Sequence, residues 1–339
     1  MREAMFIKKN VDKWNEYQHS ESTNPDETAE RFITLVDDLS YSKTFYPRSK
    51  VTRWINAITA RIYLNIYQNK KEKANRFFIF WRYELPLLFK KYHRILLFTF
   101  LVFSLFVAIG VFGSMNEEGF IRGVLGNGYV NMTEDNISKG DPFGVYRSDS
   151  PFTMFIRIAM NNIFVAFLMA IGGLLCGVTT LLSMWQNGIM LGCFQYMFFS
   201  KGLGLESILV IWVHGTLEIL AIVISSTAGF IIANGILFPG TYTRAVSFKR
   251  SVKDALKVMV VLVPVFILAA FFESYVTHLM GNTYDKVQGN TGLPVWGSVL
   301  ILALSLIFIV WYFVILPIRL HKKGYQVLSG GFLKTQGNL

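Results

Sequence analysis

The chain has 339 residues, of which 53% are hydrophobic and only 16% are charged. This balance is typical of a polytopic membrane protein and argues against a soluble enzyme. The formal net charge of +11 would by itself suit a nucleic-acid-binding protein. However, the lysines and arginines are concentrated before Ile95, between Arg244 and Lys257, and after Pro317. Because such residues accumulate on the cytoplasmic side of membranes, the charge indicates topology, and we expect no nucleic-acid partner.

Residues 1–92 are predicted to form a cytoplasmic helical domain. The segment Asn24-Pro25-Asp26-Glu27 combines an N-cap, a proline at the first helical position and acidic residues in the first turn, as helix starts do. After Pro47, a stripe of apolar residues recurs at helical spacing, which indicates a small helical core: Val51, Ile55, Ile58 and Ile62.

The rest of the chain predicts an all-α membrane domain over residues 93–320, with about six transmembrane helices. A span needs about 20 apolar residues, and the candidate spans are 95–113, 156–178, 180–200, 208–238, 258–278 and 296–317. The polar loop 114–150 is expected outside the membrane and the tail 321–339 inside. We therefore expect a multi-pass protein of the bacterial cytoplasmic (inner) membrane, with both termini in the cytoplasm.

The turn between the second and third spans has two possible positions. Asn187-Gly188 is the strongest turn-forming dipeptide in this apolar run. A turn there would leave Ile189–Ser200 only ~18 Å long in a ~30 Å hydrocarbon core. The alternatives are a turn near Gly172-Gly173, or a second arm that is broken or re-entrant.

Ionisable and amide side chains inside the predicted spans form the candidate site. His214 and Glu218 are four residues apart and therefore share one face of a helix. With a rise of ~1.5 Å per residue, these two residues lie in the outer half of the membrane, as do Glu273, Asn161 and Asn162. We expect the five residues to form one outward-facing polar cluster.

Small residues continue both helix faces beyond the polar positions. The face of the fourth span runs from Glu218 to Gly229, and that of the second runs from Asn162 through Gly173 to Gly177. Small residues at this spacing let membrane helices approach closely, so we expect these faces to pack together or against a common neighbour.

Four interpretations of the cluster are open. It could hold helices together through hydrogen bonds worth ~1 kcal/mol each, form a transport or proton-relay site, or bind a lipid or peptide in a groove. A metal-dependent enzyme would use His214, Glu218 and either Glu273 or His278 as ligands. The chain contains neither H-E-x-x-H nor G-x-S-x-G. We therefore expect no catalytic activity, no cofactor and no bound metal.

The order and spacing of these residues resemble the stage II sporulation protein M family over most of residues 150–280. The resemblance rests on the following positions: Phe155-Ile156, Asn161-Asn162, Gly172, Gly177, Asn187-Gly188, Gly192, His214-Gly215, Glu218, Gly229, Pro239-Gly240, Arg244, Ala269-Ala270 and Glu273. The N-terminal region is similar to the long form of the family in Phe6-Ile7, Trp14, Asp37-Asp38-Leu39, Pro47 and Ile62-Tyr63.

The resemblance implies a non-catalytic scaffold. The sporulation member of the family holds two extracytoplasmic peptidoglycan-degrading enzymes in a complex and is not itself a hydrolase. We therefore expect this chain to assemble envelope partners, with peptidoglycan hydrolases as one candidate class, in contact with membrane lipid. Self-association into a homo-oligomer is compatible with this role. The alternative is a small transporter or ion-coupled channel that uses Glu218, Glu273 and His214.

Overall fold

The computed structural model describes residues 2–20, 25–67, 76–144, 150–277, 294–328 and 331–334. The chain divides into two compact units, Met1–Arg76 and Phe77–Leu339. Both are helical, as the sequence predicts. Within the described residues, the strands form one short antiparallel hairpin, Tyr325–Leu328 with Gly331–Lys334.

The first unit consists of three helices around a small apolar core: α1 Glu3–His19, α2 Pro25–Phe45 and α3 Lys50–Tyr67. Trp14 of α1 is fully buried, and its Nε1 donates a hydrogen bond of 2.9 Å to Oδ2 of Asp38 on α2. The predicted stripe of α3 contributes Ile55, Ile58 and Ile62 to the same core. Helical periodicity alone was sufficient to identify this packing face.

The next helix along the chain changes pitch. It runs from α4 Arg76–Ile79 through a π-helical turn, Phe80–Glu84, into α5 Leu85–Lys91. The long helices follow: α6 His93–Asn116, α9 Pro151–Ile171, α10 Val178–Ser200, α11 Gly204–Leu237, α12 Arg244–Val260 with α13 Leu262–Phe271, and α14 Val295–Val310 with α15 Leu316–Lys322.

Among the described residues, five helical segments are long and apolar enough to cross a membrane. They are His93–Asn116, Pro151–Leu175, Gly204–Leu237, Arg244–Thr277 and Val295–Lys322. The remaining long helix, α10, has 23 residues but does not reach the same hydropathy. A sixth crossing by α10 therefore stays a prediction.

The turn between α9 and α10 lies at residues 172–177, close to the Gly172-Gly173 alternative. A 3₁₀ turn, Gly172–Leu175, leads to Cys176 and Gly177, whose φ angles are 54° and 83°. Asn187-Gly188 instead lies inside α10, so this dipeptide does not form a turn. A Cβ on Gly188 would lie 2.7 Å from Cβ of Phe106 on α6. The glycine therefore allows close helix packing. From the sequence alone, a glycine with this role cannot be distinguished from one that forms a turn.

Two connecting segments contain more regular structure than the sequence indicated. The predicted polar loop 114–150 contains two helices, α7 Glu118–Leu125 and α8 Asn127–Ser138. The basic segment Arg244–Lys257 belongs to a helix that continues to Thr277.

The two helical segments on either side of Pro239-Gly240 are longer than a membrane crossing requires. The helices Gly204–Leu237 and Arg244–Thr277 each have 34 residues, which corresponds to ~51 Å against a hydrocarbon core of ~30 Å. They are joined by a turn at Pro239-Gly240, where Gly240 has a φ of 62°. Since lysine and arginine avoid the hydrocarbon core, we expect the excess length to lie at the end of α12 that carries the basic residues.

Candidate functional site

Four polar side chains from three helical segments meet inside the second unit. Asn162 comes from α9, His214 and Glu218 from α11, and Glu273 from the π-helical turn Phe272–Thr277 that follows α13. One donor atom from each of His214, Glu218 and Glu273 lies within 4.8 Å of the other two. We refer to Asn162, His214, Glu218 and Glu273 as the polar cluster.

Local geometry explains how α11 and α13 bring these groups together. His214 and Glu218 share a helix face because they are four residues apart. Ala269 and Ala270 of α13 are fully buried in the bundle. The π-helical turn then adds one residue per turn and changes the direction in which the following side chains point. Glu273 therefore reaches the cluster because of a local irregularity of the helix.

Hydrogen bonds fix the orientation of three members of the cluster. Nδ2 of Asn162 donates to Oε1 of Glu218 over 2.7 Å. Nδ1 of His214 and Oγ1 of Thr277 are 3.0 Å apart and share a hydrogen bond. Sequence reasoning missed Thr277, although its position four residues after Glu273 could have indicated a shared face. Thr277 and His214 are both buried.

A cavity of about 400 Å³ adjoins the polar cluster. His214, Glu218 and Glu273 lie in its wall, and most of the remaining wall is apolar. Leu125 of α7 and Tyr129 of α8 also line it, although sequence reasoning had assigned both to an external loop. Burial raises the pKa of Tyr129 to about 12, while a hydrogen bond with Thr133 opposes this effect.

The structure does not bring Asn161 into the cluster. Its side chain is exposed, whereas that of Asn162 is partly buried against Glu218. Successive helical residues are rotated by about 100°, so only one of two adjacent asparagines can face α11. His278, the alternative metal ligand, lies outside the described residues.

The small-residue faces of α9 and α11 pack directly against each other. A Cβ on Gly173, in the turn that follows α9, would lie 2.1 Å from the backbone oxygen of Gly229, and one on Gly229 would lie 2.6 Å from the backbone oxygen of Met169 on α9. Gly177 has a positive φ and faces Phe230. Gly215 differs, because the nearest atom to a Cβ there would be Cγ2 of Ile211 at 3.9 Å.

A second group of polar contacts, which the sequence did not indicate, joins the pre-membrane helix to α12. The fully buried carboxylate of Glu84 forms an ion pair with Lys257. Asp254 contacts Lys91 over 2.6 Å and accepts a hydrogen bond of 2.8 Å from the hydroxyl of Tyr92. Burial, and then the charge of Asp254, raise the pKa of Tyr92. The sequence offered one indication of these contacts, because Glu84 is a single carboxylate within the Phe- and Trp-rich segment before α6.

Long apolar helices packed around a buried polar cluster define a polytopic helical membrane protein. The sequence matches the stage II sporulation protein M family over residues 96–278, more than half of the chain, and the chain belongs to this family. The polar cluster and Thr277 lie within the matched segment. Residues 4–68 match a domain of unknown function, DUF8413.

The chain is also similar to an uncharacterized protein of Methanocaldococcus jannaschii. The two are 31% identical over 126 residues, which cover 36% of this chain and 70% of that protein. No solved structure matches the chain.

Proposed function

We propose that this protein is a non-catalytic scaffold of the bacterial cytoplasmic membrane that assembles envelope proteins, with cell-wall-remodelling enzymes as the partner class. Membership of the stage II sporulation protein M family supports a membrane role. The distribution of lysine and arginine supports an orientation with both termini in the cytoplasm. In that orientation α7 and α8 lie outside the membrane.

The observation that carries this proposal is the folded polar surface formed by α7 and α8. Glu134 of α8 forms ion pairs with Arg122 over 2.8 Å and with Lys201 over 3.3 Å. Arg122 also donates a hydrogen bond of 2.6 Å to Asn131. These contacts tie α7, α8 and the end of α10 together. A surface that is already ordered loses less conformational entropy when a partner binds.

This surface contains a cavity of about 640 Å³. Charged and amide side chains line it, including Asn116, Glu117, Arg122, Glu134 and Lys201. A lining of this kind suits a polar segment of a partner protein rather than a lipid chain. The scaffold proposal therefore places the partner on α7, α8 and the end of α10.

Site-specific photo-crosslinking in native membranes tests the scaffold. A crosslinking residue at Asn116 should give a defined adduct with an extracytoplasmic protein, identified by mass spectrometry. The same crosslinking residue at Lys253, which is exposed on α12, is the matched control. It should give no adduct with an extracytoplasmic protein. Arg122→Glu should remove the adduct by separating α7 from Glu134. Adducts that are equal at both positions, or that persist in Arg122→Glu, would contradict the proposal.

The alternative function is an ion-coupled transporter or channel, and the specific observation that favours it is the cavity beside His214, Glu218 and Glu273. Ionisable groups within spans often mark ion pathways. Purified protein in liposomes should then show proton- or cation-dependent flux. Glu218→Gln should abolish the flux in a protein that still melts cooperatively. A scaffold would show no flux with either form.

A further inference from the structure

The polar cluster has a donor set that suits a metal ion. We infer that His214, Glu218 and Glu273 bind one divalent first-row transition-metal ion, for which Zn²⁺ is the representative probe. Imidazole nitrogen and carboxylate oxygen are both established ligands of Zn²⁺. A mixed nitrogen and oxygen set favours this class of ion over Mg²⁺ or Ca²⁺, which prefer oxygen alone. This inference is independent of whether the protein is a scaffold or a transporter.

The separation of the donor atoms is compatible with one shared ion. All three atoms lie within 4.8 Å of one another. Ligands around a tetrahedral Zn²⁺ with bonds of ~2.1 Å lie roughly 3.4 Å apart. Inward side-chain movements on the order of 1 Å would therefore complete the coordination, without any displacement of α11 or of the turn after α13.

The neighbours of the ligands provide the independent observation. Metal-bound histidines generally use their second ring nitrogen in a hydrogen bond that fixes the tautomer, and ligating carboxylates are hydrogen-bonded in turn. Thr277 forms such a bond with Nδ1 of His214, and Asn162 donates to Glu218. When Nδ1 is the donor, the lone pair of the ring lies on Nε2. Both contacts therefore orient the side chains as metal ligands require.

Charge compensation points to a cation as the occupant. Two carboxylates inside a membrane span are costly unless a proton or a cation neutralises them. The side chains of Glu218 and Glu273 hydrogen-bond to each other, which requires one proton between them. Over the described part of the chain, the residues that line the cavity include no lysine and no arginine. One divalent ion would displace this proton into the cavity and balance Glu218 and Glu273 together.

The cavity supplies the remaining coordination position. Three protein ligands leave one tetrahedral site for water or another small ligand. The space of about 400 Å³ accommodates such a ligand beside Gly215, where a Cβ would meet only Ile211 within 4 Å. The geometry therefore corresponds to an open metal site and differs from a closed, four-ligand structural site.

Metal binding to the purified full-length protein in detergent tests the inference. After chelator treatment, titration with Zn²⁺ should show one high-affinity ion per chain, and Co²⁺ should produce visible absorption bands of a four-coordinate nitrogen and oxygen site. His214→Gln and Glu273→Gln should abolish both signals. Thr277→Val and Asn162→Leu should weaken the affinity roughly 10–100-fold, because they remove only the orienting bonds.

Matched controls separate ligation from general damage. Asn161→Leu changes the exposed neighbour of Asn162, and Glu134→Gln removes a carboxylate from the α7–α8 surface; both should retain full affinity. Zn²⁺ should also raise the melting temperature of the wild type and of the controls, since an ion bound only to the native state stabilises it. Absence of stoichiometric Zn²⁺ binding by the wild type, or unchanged affinity in folded His214→Gln, would overturn the inference. Neither result would affect the crosslinking test of the scaffold.

Discussion

Asn162 on α9 donates a hydrogen bond of 2.7 Å from Nδ2 to Oε1 of Glu218 on α11, across a sequence separation of 56 residues. This contact joins two apolar helices at the level of the polar cluster. Below it, Gly173 packs against the backbone of Gly229. A polar contact and a close glycine contact therefore hold the same helix pair.

Removal of the Asn162 amide should destabilise this pair. Asn162→Leu leaves Glu218 without its donor, and we expect a loss of ~1 kcal/mol in the free energy of unfolding. Asn161→Leu is the matched control, because its side chain is exposed, and it should cost much less. Unfolding curves in detergent would measure both. Equal losses would argue against the assigned roles of the two asparagines.

A methyl group at Gly173 should separate α9 from α11. The new Cβ would lie 2.1 Å from the oxygen of Gly229, and because that atom belongs to the backbone it cannot rotate away. We expect Gly173→Ala to cost about 1–3 kcal/mol. Gly215→Ala, which has space for a Cβ, should be neutral or slightly stabilising. Thermal melts of both variants provide the comparison, and a neutral Gly173→Ala would be inconsistent with the packing described.

Removal of only one partner of the Glu84–Lys257 ion pair should strongly lower the free energy of unfolding. Glu84 is fully buried and the side chain of Lys257 is 19% exposed. Lys257→Met leaves a buried carboxylate without its lysine, and we expect a loss of about 3–5 kcal/mol. Lys253→Met on the exposed face of α12 should have little effect. The double variant Glu84→Gln with Lys257→Met should recover most of the loss in chemical-unfolding experiments; no recovery would count against the pair.

Alkaline pH should destabilise the native protein partly through Tyr129. Its pKa is raised to about 12 in the folded protein by burial and is near 10 in an unfolded chain. The folded state therefore holds this proton more tightly, and its contribution to stability is lost as the pH rises from about 10 to about 12. Between pH 9 and pH 11, the free energy of unfolding of Tyr129→Phe should decline less than that of the wild type. A decline equal to that of the wild type would contradict the assigned environment.

Some features of the fold could be predicted because they are properties of single segments. The stripe of Ile55, Ile58 and Ile62 indicated a core face because a helix repeats every 3.6 residues. Apolar run length indicated five of the spans, since the membrane core sets the number of residues needed to cross it. The His214 and Glu218 pair followed from the same helical geometry.

Other features depended on contacts between segments and were therefore missed or misplaced. Asn187-Gly188 suggested a turn, yet Gly188 packs against Phe106 of α6. The two asparagines at 161 and 162 were equivalent in sequence, and only the rotation of α9 distinguishes them. Leu125 and Tyr129 line the cavity because α7 and α8 fold over the bundle, which polarity alone did not indicate.

The sequence by itself determined which segments of this protein are helical and apolar, and which polar residues lie within them. Length, hydropathy and helical periodicity act along one segment at a time, so a single chain is sufficient to predict them. The tertiary structure decided that Asn162, His214, Glu218 and Glu273 meet beside one cavity. That arrangement depends on the rotation of each helix about its axis, on the π-helical turn at Glu273 and on glycine contacts between distant segments, and helical periodicity predicts none of these.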